Sequence, residues 1–115
     1  MRDFDVYIED IVSAINCIEE YTRKMSYAKF AGDKKTVDAV IRNFEIIGEA
    51  AKHIPERIKT KYPNVPWRDM TGMRDRLIHG YFGVNLEVVW KTIMERLPKL
   101  KKQLEEALKE TKDDI

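Results

Sequence analysis

An all-α fold, a four-helix up-down bundle forming one domain over residues 1–115, is what this sequence predicts, and three observations carry that expectation. Apolar residues recur at alternating steps of four and three along most of the chain, the spacing of a helix that buries one stripe. Nowhere do apolar and polar residues alternate with the period of two that marks a half-buried strand. Gly32, Pro55, Pro66 and Gly80 divide the periodic pattern into segments, and 115 residues have room for one core rather than two.

The first segment places Phe4, Ile8, Ile11, Ile15, Ile18 and Met25 on one face, with Thr22 filling a slot. Asp3 is the expected N-cap, because its carboxylate can accept from the unpaired amides of a first turn. The stripe fades near Ala28, and Gly32-Asp33 reads as a turn. A second helix is expected from about Thr36 to His53, with Val37, Ile41, Phe44, Ile47, Ala51 and Ile54 inward. Pro55 closes it, since the residue before a proline disfavours helical geometry. The stretch from Ile54 to Val65 contains Pro55 and Pro63 and reads as a connector with one helical turn.

A shorter third helix starts at Pro66-Trp67, where a proline is well tolerated in the first turn. Met70, Met73 and Leu77 form its core side, and Gly80 ends it. After the loop from Gly80 to Val84, Asn85 caps the fourth helix, with Glu87 placed to suit the dipole. Leu86, Trp90, Ile93, Leu97, Leu100, Leu104 and Ala107 restore the four-three pattern. Pro98 lacks an amide donor and kinks this C-terminal helix. Lys109 to Ile115 are expected to fray.

Charged residues make up 36% of the chain and apolar residues 43%, a balance suited to helices with broad solvated faces. The net charge of +1 does not mark the whole molecule for nucleic acid, so an RNA site has to be a local basic patch. Arg68, Arg74, Arg76 and Lys91 are candidates for it; each alone reads equally as solvated. Lys99, Lys101 and Lys102 read as a solvated face. The lone cysteine, Cys17, allows no internal disulfide and no thiolate metal cluster, and reads as buried packing. No cofactor or metal site is expected. Met1 to Asp5 is too charged for a signal peptide and no run is long enough to span a membrane, so the expected location is the cytoplasm.

Chemistry is concentrated between Arg74 and Tyr81. Asp75 and His79 are four apart, so the carboxylate can orient the imidazole. His79 stands at a helix C-terminus, where the dipole favours the imidazolium. Arg74 and His79 are five apart, roughly 140° around an ideal helix, so one undistorted helix does not face both at one point. A tunable histidine and a guanidinium are the minimum for metal-free RNA cleavage: one moves protons, the other stabilises charge on the phosphate. On spacing alone the same residues also read as a capping histidine beside solvated arginines.

The run Arg74, four residues, His79, one residue, Tyr81 resembles the R-x4-H-x-Y signature of the HepT family of HEPN-domain ribonuclease toxins. The likeness covers nearly the whole chain. It takes in the Ile-rich first helix, the segment Arg42 to Ala50, the Tyr62-Pro63-x-x-Pro66-Trp67 connector and the segment Met73 to Phe82. It implies a HEPN-type bundle that forms a homodimer or a higher even oligomer, with both motifs in one cleft. Arg74 and His79 would then be catalytic; from the residues themselves, Asp75 is read as orienting the imidazole, and Arg76 and the loop aromatic Phe82 as RNA contacts. The implied partner is a nucleotidyltransferase antitoxin that attaches AMP to Tyr81. A different class of reading keeps the dimer as a catalytically weak docking module for that enzyme, because Asp75 sets an acid where phosphate would bind.

Other positions are open to two readings. His53 reads as a solvated or capping residue rather than a catalytic one. Asn43, Glu45 and Glu49 match the family pattern and either line the cleft or hold the third helix. Gly48 and Gly72, inside helices, suggest close helix approach. Trp67 reads as core, whereas Tyr81 and Phe82, on a loop, are open to stacking on bases.

Overall fold

The Ile-rich stripe makes the first rod, α1 (Asp3–Thr22). The structure, a computed structural model, describes residues 3–79 and 85–113. Ile8, Ile11, Ile15 and Ile18 are fully buried, and the buried Thr22 hydroxyl donates to the Ile18 carbonyl at 2.8 Å, so it is sealed in without an unpaired group. Asp3 is the first described residue of α1; its side chain, and with it the expected cap, lies outside the described residues. Cys17 is half-buried rather than buried, and its hydrogen bond with Tyr21 pushes that phenol's pKa above its ordinary value.

α1 stops at Thr22 instead of running on to Met25. The chain turns through Lys24, whose φ of 65° is left-handed. Met25 still packs against the core, so the apolar spacing continues across a turn and imitates a longer helix. Ser26 then accepts from the Lys29 amide at 3.1 Å and starts a five-residue helix that the pattern hid, α2 (Tyr27–Ala31). Its anchor is the fully buried Phe30.

Asp33 caps α3 (Lys34–Lys52), accepting from the Thr36 amide at 3.1 Å and the Thr36 hydroxyl at 2.9 Å. These bonds hold the Asp33 carboxyl below its ordinary pKa. The cap lies three residues before Thr36, which is why the helix begins earlier than expected. All six residues expected inward are buried. The connector contains α4 (Glu56–Lys61), with Pro55 before it and Ile58 buried. Next come α5 (Trp67–His79) and, after the cap Asn85, α6 (Leu86–Lys91). The expected stop at Gly80 and the loop to Val84 lie outside the described residues.

Pro98 leaves its mark one turn upstream. Residues Thr92–Arg96 form a π-helical turn, and the Leu97 amide reaches back five residues to the Thr92 carbonyl before α7 (Leu97–Asp113) resumes. A proline cannot donate to the carbonyl four residues before it and its ring crowds that group; widening the preceding turn accommodates both. The C-terminus is helical through Asp113 rather than frayed from Lys109. The Tyr62 hydroxyl donates to Glu110 at 2.7 Å and ties that end to the connector.

α3 lies between α1 and α5, α7 packs on α1, and α2 touches α3 and α6. The short connections make successive rods antiparallel. The end of α5 therefore shares one end of the bundle with α2, the start of α3 and the start of α6. Trp90 of α6 closes that end over Phe30, with ring centroids 5.1 Å apart. Lys101, expected to be solvated, is half-buried and pairs with Glu19 at 3.1 Å, joining α7 to α1. Among the described residues a methyl group at Gly72 would meet nothing within 4 Å, so close approach of a described helix does not explain that glycine; Gly48 is buried. Among the described residues no helix is long and apolar enough to cross a membrane.

Candidate active site

The motif rides on α5, which is anchored at its beginning. Trp67 is buried, and its indole donates to the Tyr62 carbonyl at 3.0 Å. Met70 is buried and Met73 half-buried against the core. Thr71 adds a bond to the Trp67 carbonyl at 3.2 Å. Beyond this grip the helix continues to His79, carrying Arg74, Asp75, Arg76 and His79 toward the end of the bundle shared with α2 and α6.

Arg74 and His79 both belong to α5, five positions and about 7.5 Å apart along an ideal axis. Their side chains, and Tyr81 and Phe82 entirely, lie outside the described residues, as does the expected Asp75–His79 contact. Asp75 and Arg76 are exposed, as a substrate-facing role requires. Arg68 is exposed on the first turn of the same helix, about 12 Å along the axis from Arg76. Lys91 sits on α6 with Glu95 at 4.0 Å. Three of the four expected cations therefore belong to α5 and the fourth to α6.

Other expected residues are held locally. The Asn43 amide donates to the Ala39 carbonyl at 2.9 Å, and Glu45 pairs with Arg42 at 3.5 Å. His53 is the C-cap of α3, with its amide bonded to Ala50 and Ala51 carbonyls. Its ring stacks on Tyr7 with centroids 5.0 Å apart, and Nε2 lies 3.4 Å from Glu49. It caps the far end of α3, away from His79, in keeping with the capping reading.

A groove of about 480 Å³ opens between α3, α5 and the π-helical turn. Phe44, Ile47, Met70 and Leu97 line its apolar part, and Met73 brings it to within one residue of Arg74. Arg96 and Asp69 face each other at 3.8 Å across its rim. Helical periodicity identifies apolar side chains but not which of them lack a neighbour, so the groove has no sequence signal.

The family model described as ribonuclease HepT-like matches residues 11–107. The chain is 53% identical over 108 residues to the "Probable ribonuclease HepT" of Thermococcus cleftensis, covering 94% of this chain and 98% of that protein. It is 42% identical over 109 residues to a protein of Methanocaldococcus jannaschii named as a candidate RNase, covering 95% and 90% of the two chains. A similarly named protein of Caldanaerobacter subterraneus is 41% identical over 106 residues, covering 92% and 95%. No solved structure matches the chain at a significant level.

Proposed function

The chain belongs to the HepT-like ribonuclease family, and from that premise we propose that it is a metal-independent endoribonuclease toxin of a toxin–antitoxin pair. The observation that carries the reading is the Arg74–His79 pair on the last turns of a helix anchored through Trp67, Met70 and Met73, with Asp75 and Arg76 exposed between them. Two such helices meeting across a two-fold axis would bring both pairs into one cleft, which answers the 140° separation on a single helix.

In the proposed reaction a histidine takes the proton of an RNA 2′-hydroxyl. The 2′-oxygen bonds to the adjacent phosphorus, the bond to the 5′-oxygen breaks, and that oxygen leaves with a proton donated by a histidine imidazolium in the cleft. The products are a 2′,3′-cyclic phosphate and a free 5′-hydroxyl. Arg74 stabilises the added charge on the phosphoryl oxygens. Asp75 orients the imidazole, and Arg76 and Phe82 hold the flanking nucleotides.

Control falls to Tyr81. A nucleotidyltransferase partner would let the tyrosine oxygen attack the α-phosphorus of ATP, releasing pyrophosphate and leaving AMP on the ring. The phosphodiester adds about one negative charge where RNA phosphates need positive potential, and the adenosine fills the stacking space. Tyr81→Phe should keep cleavage and escape the partner.

The test is cleavage of a labelled RNA by purified protein, wild type against Arg74→Ala and His79→Ala. Each substitution should abolish cutting while the helical circular dichroism signal stays intact. Full activity in His79→Ala would defeat the assignment. The docking-module reading draws on Asp75, an exposed acid beside Arg74; it predicts AMP transfer to Tyr81 with no cleavage by the wild type.

A further inference from the structure

The end of the bundle that carries the motif holds a second feature, built by the connection from α1 to α3. Residues 23–35 contain five cations, Arg23, Lys24, Lys29, Lys34 and Lys35, and one carboxylate, Asp33. Their net charge of +4 leaves −3 for the rest of a chain whose total is +1. All five cations are exposed. Lys34 pairs with Asp38 at 2.8 Å, and Asp33 is committed to capping α3 through Thr36. Arg23, Lys24 and Lys29 face no carboxylate within ion-pair distance among the described residues.

Three of these lysines break a local rule. Lys24 occupies left-handed backbone at φ 65°, where glycine or asparagine is the comfortable choice. Lys34 and Lys35 fill the first turn of α3, which carries no acidic residue, although the positive end of a helix dipole disfavours cations there. Violations of local preference that fall together in one short segment, all in favour of the same charge, are the mark of a site. The segment is firmly placed: Phe30 in its middle is fully buried against Trp90 of α6. It lies on an end of the bundle whose cross-section is 29 × 21 Å, together with the last turn of α5.

We propose that Arg23, Lys24, Lys29 and Lys35 form a phosphate-binding track that holds the backbone of single-stranded RNA on its way to the His79 end of α5. The inference rests on the ribonuclease reading for the identity of its ligand. It assigns RNA contacts to residues outside the R-x4-H-x-Y run. The contacts are with phosphates, so they give affinity and register without base preference.

The experiment measures fluorescence anisotropy of a labelled single-stranded RNA against salt, in a His79→Ala background so that the probe stays whole. The second protein adds Arg23→Ala, Lys24→Gly, Lys29→Ala and Lys35→Ala, all at exposed positions. Each phosphate contact contributes about 0.7 to the slope of log affinity against log salt on single strands. Losing four contacts should lower that slope by about 3 and weaken binding more than tenfold at 0.1 M salt. Equal slopes and affinities within twofold overturn the track. So does poly-glutamate binding that matches RNA charge for charge and falls equally in the variant, which would give the patch to an acidic protein. Cleavage by the otherwise wild-type chain is read separately. RNA bound through these residues but never cut leaves the track standing and removes the ribonuclease reading. RNA cut normally but bound alike by both proteins does the reverse.

Discussion

Replacing Phe30 by alanine tests the element that organises the functional end of the bundle. Phe30 is fully buried and its ring centroid lies 5.1 Å from that of Trp90 on α6. Phe→Ala changes in cores cost about 3–5 kcal/mol through lost transfer energy and the cavity left behind. A chain of this length has an unfolding entropy of about 0.24 kcal/mol/K, so each kcal/mol moves Tm by about 4 °C. The expected fall is therefore about 12–20 °C, read by circular dichroism at 222 nm. Lys29→Ala, one residue away and exposed, is the control and should stay within about 2 °C. A Phe30→Ala loss below about 4 °C would mean that α2 is not pinned to the core, and the fixed placement of residues 23–35 beside α6 would fall with it.

Other outcomes follow from single residues. Gly72→Ala should stabilise the chain by about 0.5–1 kcal/mol, because the new methyl meets nothing within 4 Å; a lowered Tm in thermal unfolding would show that something covers that face in solution. Lys24→Gly should raise Tm by about 4 °C through relief of about 1 kcal/mol of left-handed strain, while lowering RNA affinity in the same protein; a lower Tm contradicts the strain. The Asp33 carboxyl has a folded-state pKa below its ordinary 3.8, so its contribution is complete above that value and is lost as pH falls through the folded one. The Tm difference between wild type and Asp33→Asn at pH 7 should begin to shrink as pH falls below about 3.8 and disappear only below the lower folded-state pKa, and a difference that does not shrink between pH 7 and pH 2 would contradict it.

The sequence made the rods legible because each buries one stripe. The inward residues of α1, α3 and α7 follow from their spacing, and the Asn85 cap follows from a side chain that can accept from the amides of Glu87 and Val88. Periodicity failed where a turn kept the stripe in phase: Met25 reaches the core without being helical, and this hid α2. It gave Pro98 as an interruption but not its form, since the choice between a bend and a π-helical turn depends on how Leu97 and Thr92 repair the ladder. The motif on α5 was legible as chemistry. The basic segment from Arg23 to Lys35 was present in local charge, but its meaning depends on antiparallel packing that brings it to the same end as His79. The groove beside Met73 depends on which apolar side chains lack a neighbour, and spacing carries no such information.

The most direct test of the central claim is the chemistry of the cut end. Wild-type protein is incubated with a 5′-labelled RNA in excess EDTA, and the fragments are analysed by mass spectrometry. The account predicts cleavage at undiminished rate, with fragments ending in a 2′,3′-cyclic phosphate and their neighbours beginning with a 5′-hydroxyl. Loss of cleavage in EDTA, or fragments that begin with a 5′-phosphate, would contradict it, because a histidine–arginine site acting through the 2′-hydroxyl cannot leave those ends.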